Sequence, residues 1–362
     1  MRHSSREPSI NQAIVLSRDA FMRTKYFQNL DGLRAISVLL VLSFHVGGSA
    51  WPLVHGYLGV TVFFVISGFL ITTLLLREEK NGRVSIPRFY VRRIFRIFPL
   101  YYIALGVYCV LVIGLGLGND PGRFRENLLL YATYNGEFAG SGSFSHSGSL
   151  GIEEKFYLFW PVIGFALLPL LKRRVSVVTG LLLLSIIAAA FQGLDYFAIY
   201  APILTGVLVA LLLNDPRAFE MIRRLAGSSV GALCVAALIV AIGLNHEGTY
   251  VHVGIGLLVG LCMPWMALSN SAVTVVLAKG PLRYIGTRSY AIYLFHPLVL
   301  RGVDAAIPES SHLLAQLARL LLLVFGSLIV AEILHRTVER PLIAIGHRIA
   351  SLKLTAPLVE SS

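Results

Sequence analysis

The stretch LGVTVFFVISGFLITTLLL, residues 58–76, runs for nineteen residues without a charged side chain. At about 1.5 Å of rise per residue, a helix of that length nearly crosses the ~30 Å hydrocarbon core of a bilayer. Only a helix lets a lone segment satisfy its own backbone there, so the stretch predicts a transmembrane helix. Similar apolar blocks recur on both sides of it: Leu33–Trp51, Phe98–Leu117, Leu150–Leu171, Val175–Phe191, Ala198–Leu213, Val230–Leu244, Val251–Leu268, Ser289–Val303 and Leu313–Leu334. Composition agrees. Of 362 residues, 56% are hydrophobic and 14% charged, with a mean hydropathy of +0.73. A soluble domain carries about 25% charged residues. These numbers predict an all-α polytopic membrane helix bundle of about ten transmembrane helices. It occupies residues 29–348 as one domain, between a basic arm (1–28) and a tail (349–362).

The net charge of +12 would suit a nucleic-acid binder, but its distribution follows topology instead. Ten crossings from a cytoplasmic N-terminus put the lysines and arginines of 18–25, 77–96, 172–174, 217–224, 279–288 and 336–340 on the cytoplasmic side. Little beyond Arg123, Arg125 and Arg301 is left opposite. This is the positive-inside asymmetry, so both termini are expected in the cytoplasm of a multi-pass inner-membrane protein. Membrane lipid is the expected neighbour, and no nucleic acid is. No A-x-A-like site follows the first apolar stretch, which reads as a retained span rather than a signal peptide. Cys109, Cys234 and Cys262 all fall in spans, with no disulfide framework and no metal-ligand spacing, so no metal is expected. The arm reads as disordered or surface-lying. Pro87 and Pro99 bracket a short helix within the basic segment 77–97. The Gly- and Ser-rich segment 119–149 reads as a flexible external lip or lid.

Polar groups at membrane depth cost several kcal/mol unless paired or hydrated, so each is a functional candidate. His45 follows Arg34 by eleven residues, about 16 Å of helix, which puts it near the midplane if Arg34 marks the surface. Its ordinary pKa near 6.5 suits proton exchange; the plainer alternative is a packed ring bonded to a carbonyl. Arg88, Arg92 and Arg96 recur at helical spacing with Arg93 alongside, a face that matches phosphate oxygens or an ordinary positive-inside loop. Asp31 reads as a helix N-cap with a pair to Arg34. Of the adjacent Glu153 and Glu154, at most one is expected to face the interior. Ser289, Tyr293 and His296 form one polar stripe, for which interhelical hydrogen bonding is a sufficient reason. Glu332 and Arg336 read as an i, i+4 surface pair.

Several longer strings carry a family resemblance. LDGLRAISVLLVLSFH (30–45), GVTVFFVISGFLIT (59–72), FYVRRIFRIFPLYY (89–102), SLGIEEKFYLFWP (149–161), YIGTRSYAIYLFHP (284–297) and VERPL (338–342) resemble, in order and spacing, the acyltransferase-3 family of membrane acyltransferases. The resemblance covers about residues 27–345. It implies a ten-helix enzyme that takes an acyl group, commonly acetyl, from cytoplasmic acyl-CoA and places it on a hydroxyl of an extracytoplasmic glycan. Acyl-CoA is then a co-substrate, with no permanently bound cofactor, and a carbohydrate or glycoconjugate is the acceptor. The family's Arg-x10-His pattern falls on Arg34 and His45, its R-x-x-R on Arg93 and Arg96 after Arg92. Its S-G-F falls on Ser67–Phe69, its acidic motif on Glu153 and Glu154, and its G-x-x-S-Y on Gly286, Ser289 and Tyr290. His45, Arg34 and Glu153 are then expected at the chemistry, with Arg92, Arg93 and Arg96 on the CoA phosphates. Asp31, Ser67, Glu154, Ser289, Tyr293 and His296 are expected in support. Where the family's fourth-span motif reads closer to HTWSLSVEEQFYL, this chain has HSGSLGIEEKFYL, which leaves acceptor choice open at Gly148 and Lys155. A secondary transporter and a non-catalytic subunit of a polysaccharide assembly complex are the rival readings.

Overall fold

A computed structural model describes residues 15–47, 51, 55–82, 84–118, 120–168, 173–243, 248–310 and 312–352. The first fourteen residues of the arm and most of the tail lie outside them. Helices follow the apolar blocks: α1 (Arg18–Arg23), α2 (Gln28–Gly47), α3 (Gly56–Lys80), α4 (Ile86–Tyr108), α5 (Ser147–Val162), α6 (Arg174–Ala188), α7 (Ala201–Asn214), α8 (Pro216–Leu225), α9 (Ser228–Gly243) and α10 (Thr249–Leu268). After them come α11 (Gly280–Thr287), α12 (Ser289–Ala306), α13 (Leu313–Leu334) and α14 (Arg340–Leu352). Among the described residues every expected span falls on a helix; positions 48–50, 169–171 and 244 of the expected spans lie outside them. Among the described residues, six helical segments are long and apolar enough to cross a membrane: Gln28–Gly47, Gly56–Lys80, Ile86–Gly114, Asp195–Asn214, Thr249–Leu268 and Leu313–Leu352. The other four are short or interrupted. Helix α6 has 15 residues and α9 has 16, α5 passes after Pro161 into a π-turn (Ile163–Leu167), and α12 carries Arg301 and Asp304.

Two expectations of local structure change. Pro99 does not end a short helix: α4 runs from Ser85, with Pro87 in its first turn, through Pro99 to Tyr108 and on through a π-turn at Cys109–Gly114. Proline breaks an isolated helix, but neighbouring helices in a bundle can satisfy the freed backbone. Nor is 119–149 a loose lid. Short helices (Pro121–Glu126, Leu128–Ala132) fold it back onto the bundle, where Phe124, Tyr131 and Phe144 are buried. Tyr101 Oη donates to Tyr131 O at 2.7 Å, Tyr102 Oη to Ala132 O at 2.9 Å, and Lys155 Nζ to Tyr134 O at 2.9 Å. Glu137 completes the anchor with an ion pair to Lys155. Lys155 therefore ties this segment to α5.

The arm packs too. Phe21 of α1 is fully buried, and Arg77 donates to the carbonyls of Phe21 and Thr24 while its guanidinium lies over the rings of Phe21 and Phe27. Val15 pairs with Ser269 in an isolated bridge. Basic side chains gather at this end of the bundle and are stitched across elements. Arg92 pairs with Glu78, Arg174 with Glu79, and Glu332 takes Arg288 as well as the expected Arg336.

Helix α3 is the most deeply buried of the spanning segments. It crosses α7 with glycine meeting backbone on both sides. A Cβ on Gly68 would lie 2.1 Å from Ile203 O, and one on Gly206 2.1 Å from Val65 O. Close backbone approach through small residues is how helices pack where lipid supplies no hydrophobic drive between them. Gly286 does the same for α11, where a Cβ would lie 1.8 Å from Asp31 O of α2. These crossings leave a polar gap between α2, α3, α4, α5 and α12.

Candidate active site

That gap is a chamber with two connected lobes. The lobe at the arginine-rich end encloses about 370 Å³ and includes Lys25, Tyr26, Asp31, Arg77, His335 and Glu339 in its wall. The inner lobe, about 70 Å³, is lined by Glu153, Glu154, Ser149, Ser289, Tyr290 and Tyr293. Arg34, Ser67, Arg93, Arg96 and Tyr157 line both. The wide lobe can take a chain of polar groups.

Three guanidiniums stand at the junction. Arg93 lies 5.5 Å over the Phe89 ring and 5.0 Å over Tyr157, a pair of cation–π contacts that fix its plane. Arg34 and Arg96 have no hydrogen-bond or ion-pair partner among the described residues, which leaves their forks open to an anion. Arg92 is not with them. On the helical wheel Arg96 lies between the other two, so a face centred between Arg93 and Arg96 leaves Arg92 at its edge, where it pairs with Glu78. Arg88 also lies off the chamber wall, so the expected single arginine face is split.

The two glutamates correct another expectation: both face the chamber, which wraps around more than 100° of α5. Their environments differ. Glu153 accepts from Ser67 Oγ, and Tyr157 Oη donates to Ser67 Oγ at 3.0 Å and to Glu153 at 3.4 Å. Glu154 has no hydrogen-bond partner among the described residues. Ser67 thus has a specific task, and Tyr157, one turn beyond Glu153, is a member of the site that the sequence reading did not single out. Asp31 is not a cap. It lies inside α2, accepts a hydrogen bond from Tyr26 Oη, and makes no ion pair to Arg34. Burial, and then Asp31, push the Tyr26 phenol up to about 12, so it remains a neutral donor.

Beyond the inner lobe the polar stripe of α12 continues. Tyr293 Oη lies 2.7 Å from Ser149 Oγ and donates to His146 O at 3.1 Å. Next come three imidazoles. His45 does not line the chamber; it stands a layer farther on, exposed, with Nδ1 2.8 Å from Val41 O. His296 is fully buried, with Nδ1 2.7 Å from Tyr293 O, and its ring centre is 4.8 Å from that of His45. His146 sets Nε2 3.1 Å from Leu294 O and its ring centre 5.8 Å from that of His296. Among the described residues no group of three side chains is arranged to hold a metal ion. The sequence reading left His146 inside an external segment. Its place at the head of the motif HSGSLGIEEKFYL, one residue before a helix, was the available hint.

The polar groups therefore form one line through the bundle: open arginines, then carboxylates, then a serine–tyrosine pair, then histidines. Such a line can hold an anion at one end and exchange a proton at the other. A family described as "Acyltransferase domain" matches residues 27–336. A Staphylococcus aureus (strain COL) protein carrying an inferred O-acetyltransferase name is 29% identical over 363 residues, covering 89% of this chain and 58% of the relative. The peptidoglycan O-acetyltransferase OatA of Listeria monocytogenes is 29% identical, covering 88% and 56%. An inferred peptidoglycan O-acetyltransferase of Bacillus subtilis (strain 168) is 28% identical, covering 93% and 60%. The chain spans little more than half the length of these relatives. No solved structure matches it.

Proposed function

The chain belongs to the acyltransferase-3 family, and we propose that it is a membrane O-acetyltransferase, moving an acetyl group from cytoplasmic acyl-CoA to a hydroxyl of an extracytoplasmic glycan. The supporting observation is the line of polar groups just described, with its anion-binding and proton-exchanging ends on opposite sides of a narrow chamber. The arginine-rich end is then cytoplasmic, as are both termini, and about ten helices cross the inner membrane. The relatives named for peptidoglycan favour a cell-wall or surface glycan as acceptor.

In this mechanism Arg34, Arg93 and Arg96 grip the CoA phosphates in the wide lobe, and the pantetheine arm carries the thioester through the narrow one to its His45 side. Glu153, held by Ser67 and Tyr157, fixes the α5 wall, while Glu154 stays open to the chamber. The acceptor hydroxyl approaches from the far side, where His45 is exposed. His45 takes its proton, the oxygen attacks the thioester carbonyl, the C–S bond breaks, and the proton passes to the departing CoA sulfur. Each step balances without a metal.

The test is transfer from labelled acetyl-CoA to surface glycans by the protein in liposomes, with mass spectrometry of the glycan product. His45→Gln can hydrogen-bond but cannot shuttle a proton, so transfer should fall about 10²–10⁴-fold while CoA still binds. Near-parental transfer by that variant would refute His45 as the base. Solute exchange that is indifferent to acyl-CoA would replace the enzyme with a transporter.

A further inference from the structure

CoA carries a diphosphate, which joins pantetheine to the nucleotide, and a further phosphate on the ribose 3′ carbon. The arginines at the junction account for the diphosphate. Beside the wide lobe lies another cavity, of about 460 Å³, walled by Tyr26, Gly280, Arg283, Tyr284, Thr287 and Arg288. Tyr26 and Thr287 belong to both walls, and Tyr26 borders the wide lobe but not the narrow one. A donor that runs inward to its thioester would leave its nucleotide end at this vestibule. Both tyrosines there are pinned at their hydroxyls. Tyr26 Oη donates to Asp31, and Tyr284 Oη donates to Glu332 at 2.8 Å. The Tyr26 ring is nonetheless 53% exposed, so its face is free. Of the two vestibule cations, Arg288 lies 3.7 Å over the Tyr284 ring and pairs with Glu332. Arg283 has no hydrogen-bond or ion-pair partner among the described residues. Arg283 and Arg34 both act electrostatically on the Tyr26 phenol, which sets that ring within ionic reach of the vestibule and of the junction. Asp31 lies within the same reach of Arg283 but forms no ion pair with it.

We propose that this vestibule is the subsite for the 3′-phosphoadenosine end of CoA, with Arg283 on the 3′-phosphate and Tyr26 stacked on the adenine. A guanidinium fork matches phosphate oxygens, and one without a partner breaks no ion pair to take them. Every base offers a π-face, and an aromatic ring already held by its hydroxyl meets it with little freedom left to lose. The vestibule thus reads the part of the donor that stays out of the chemistry. It separates CoA from shorter molecules that carry the same pantetheine arm. This rests on the reading of acyl-CoA as the donor. An anionic lipid headgroup offers the same phosphate chemistry on this side of the membrane, and the ligand series below tells the two apart.

Equilibrium titration of the purified protein in detergent with CoA, 3′-dephospho-CoA and 4′-phosphopantetheine reads each contact separately. The parent should bind CoA about 10-fold more tightly than 3′-dephospho-CoA. It should bind 3′-dephospho-CoA at least about 10-fold more tightly than 4′-phosphopantetheine. Arg283→Gln should weaken CoA by about the same 10-fold and leave 3′-dephospho-CoA unchanged, so that the two converge. Tyr26→Leu should weaken both nucleotides about 10-fold and leave 4′-phosphopantetheine unchanged. Tyr26→Phe keeps the ring while losing the bond to Asp31, and it should bind all three as the parent does. A parent that binds CoA and 3′-dephospho-CoA alike would overturn the proposal and leave Arg283 to lipid phosphate. So would an Arg283→Gln variant that weakens all three ligands by one factor, or a Phe variant that loses as much as Leu. A parent that binds none of the three would sink the functional reading and this inference together. Acetyl transfer from acetyl-CoA by a parent blind to the 3′-phosphate confines the failure to the vestibule.

Discussion

Arg92, Arg93 and Arg96 are near neighbours on one helix, yet each has a different surrounding. Arg92 neutralises Glu78, Arg93 lies between two aromatic rings, and Arg96 faces the chamber with no partner among the described residues. A cation held ready for an anion should be the one whose loss is felt mainly in binding. Arg96→Gln is therefore expected to weaken acetyl-CoA binding by roughly 1.5–3 kcal/mol, about 10- to 150-fold, with little change in folding. Arg92→Gln should change it little. Equal binding by parent and Arg96→Gln, measured by equilibrium titration, would reduce the arginine to a topology signal. Helical spacing displayed all three cations and suggested an anion. It did not say how α4 is rotated, so Arg92 was grouped with the wrong pair. Glu153 and Glu154 show the same limit: which carboxylate is held and which is open depends on Ser67, 86 residues away.

At the level of helices, the crossing with α7 seats the side of α3 next to the one that lines the chamber. Ser67 and Gly68 are consecutive, so the glycine that lets α7 approach also aims the serine at Glu153. Gly206→Leu should push α7 away from Val65 and cost at least the 1–3 kcal/mol typical of overpacking, more where backbone rather than a side chain blocks the way. Gly180 is the internal control, because a Cβ there meets nothing within 4 Å. Gly180→Ala should leave the protein as stable or slightly more so, helix propensity favouring alanine. Thermal unfolding in detergent reads both; a Gly206→Leu variant that melts with the parent would mean that this crossing is looser than drawn. Segment 119–149 teaches a related lesson. Its Gly- and Ser-rich composition suggests mobility, yet Lys155, Glu137 and a stack of Tyr101 on Tyr134 at 3.9 Å hold it down. The partners that fix it come from other elements.

For the protein as a unit, charge asymmetry predicts an orientation. In a background lacking the three native cysteines, a cysteine at Ser141 should react with an impermeant thiol reagent in intact cells. One at Ser85, in front of α4, should react only after permeabilisation. The reverse pattern would invert the bundle and move the acceptor to the cytoplasm. This orientation also makes the proposed chemistry directional, because the arginines would meet CoA on the side where it is made.

The sequence was sufficient for properties that are sums or periods. Low charge, spanning-length apolar runs and the bias of Lys and Arg fix a helical membrane protein, since lipid admits no other backbone for a lone segment. The separation of Arg34 and His45 was also legible, because both lie on one helix and it follows from its rise. What needed the packed bundle was every relation between helices: Tyr26 on Asp31, Ser67 on Glu153, the serine–tyrosine pair, and His45 beside His296 and His146. Those contacts depend on the rotation and depth of each helix against its neighbours. Backbone approaches such as Gly68 to Ile203 and Gly286 to Asp31 set that rotation and depth, and no local period encodes them.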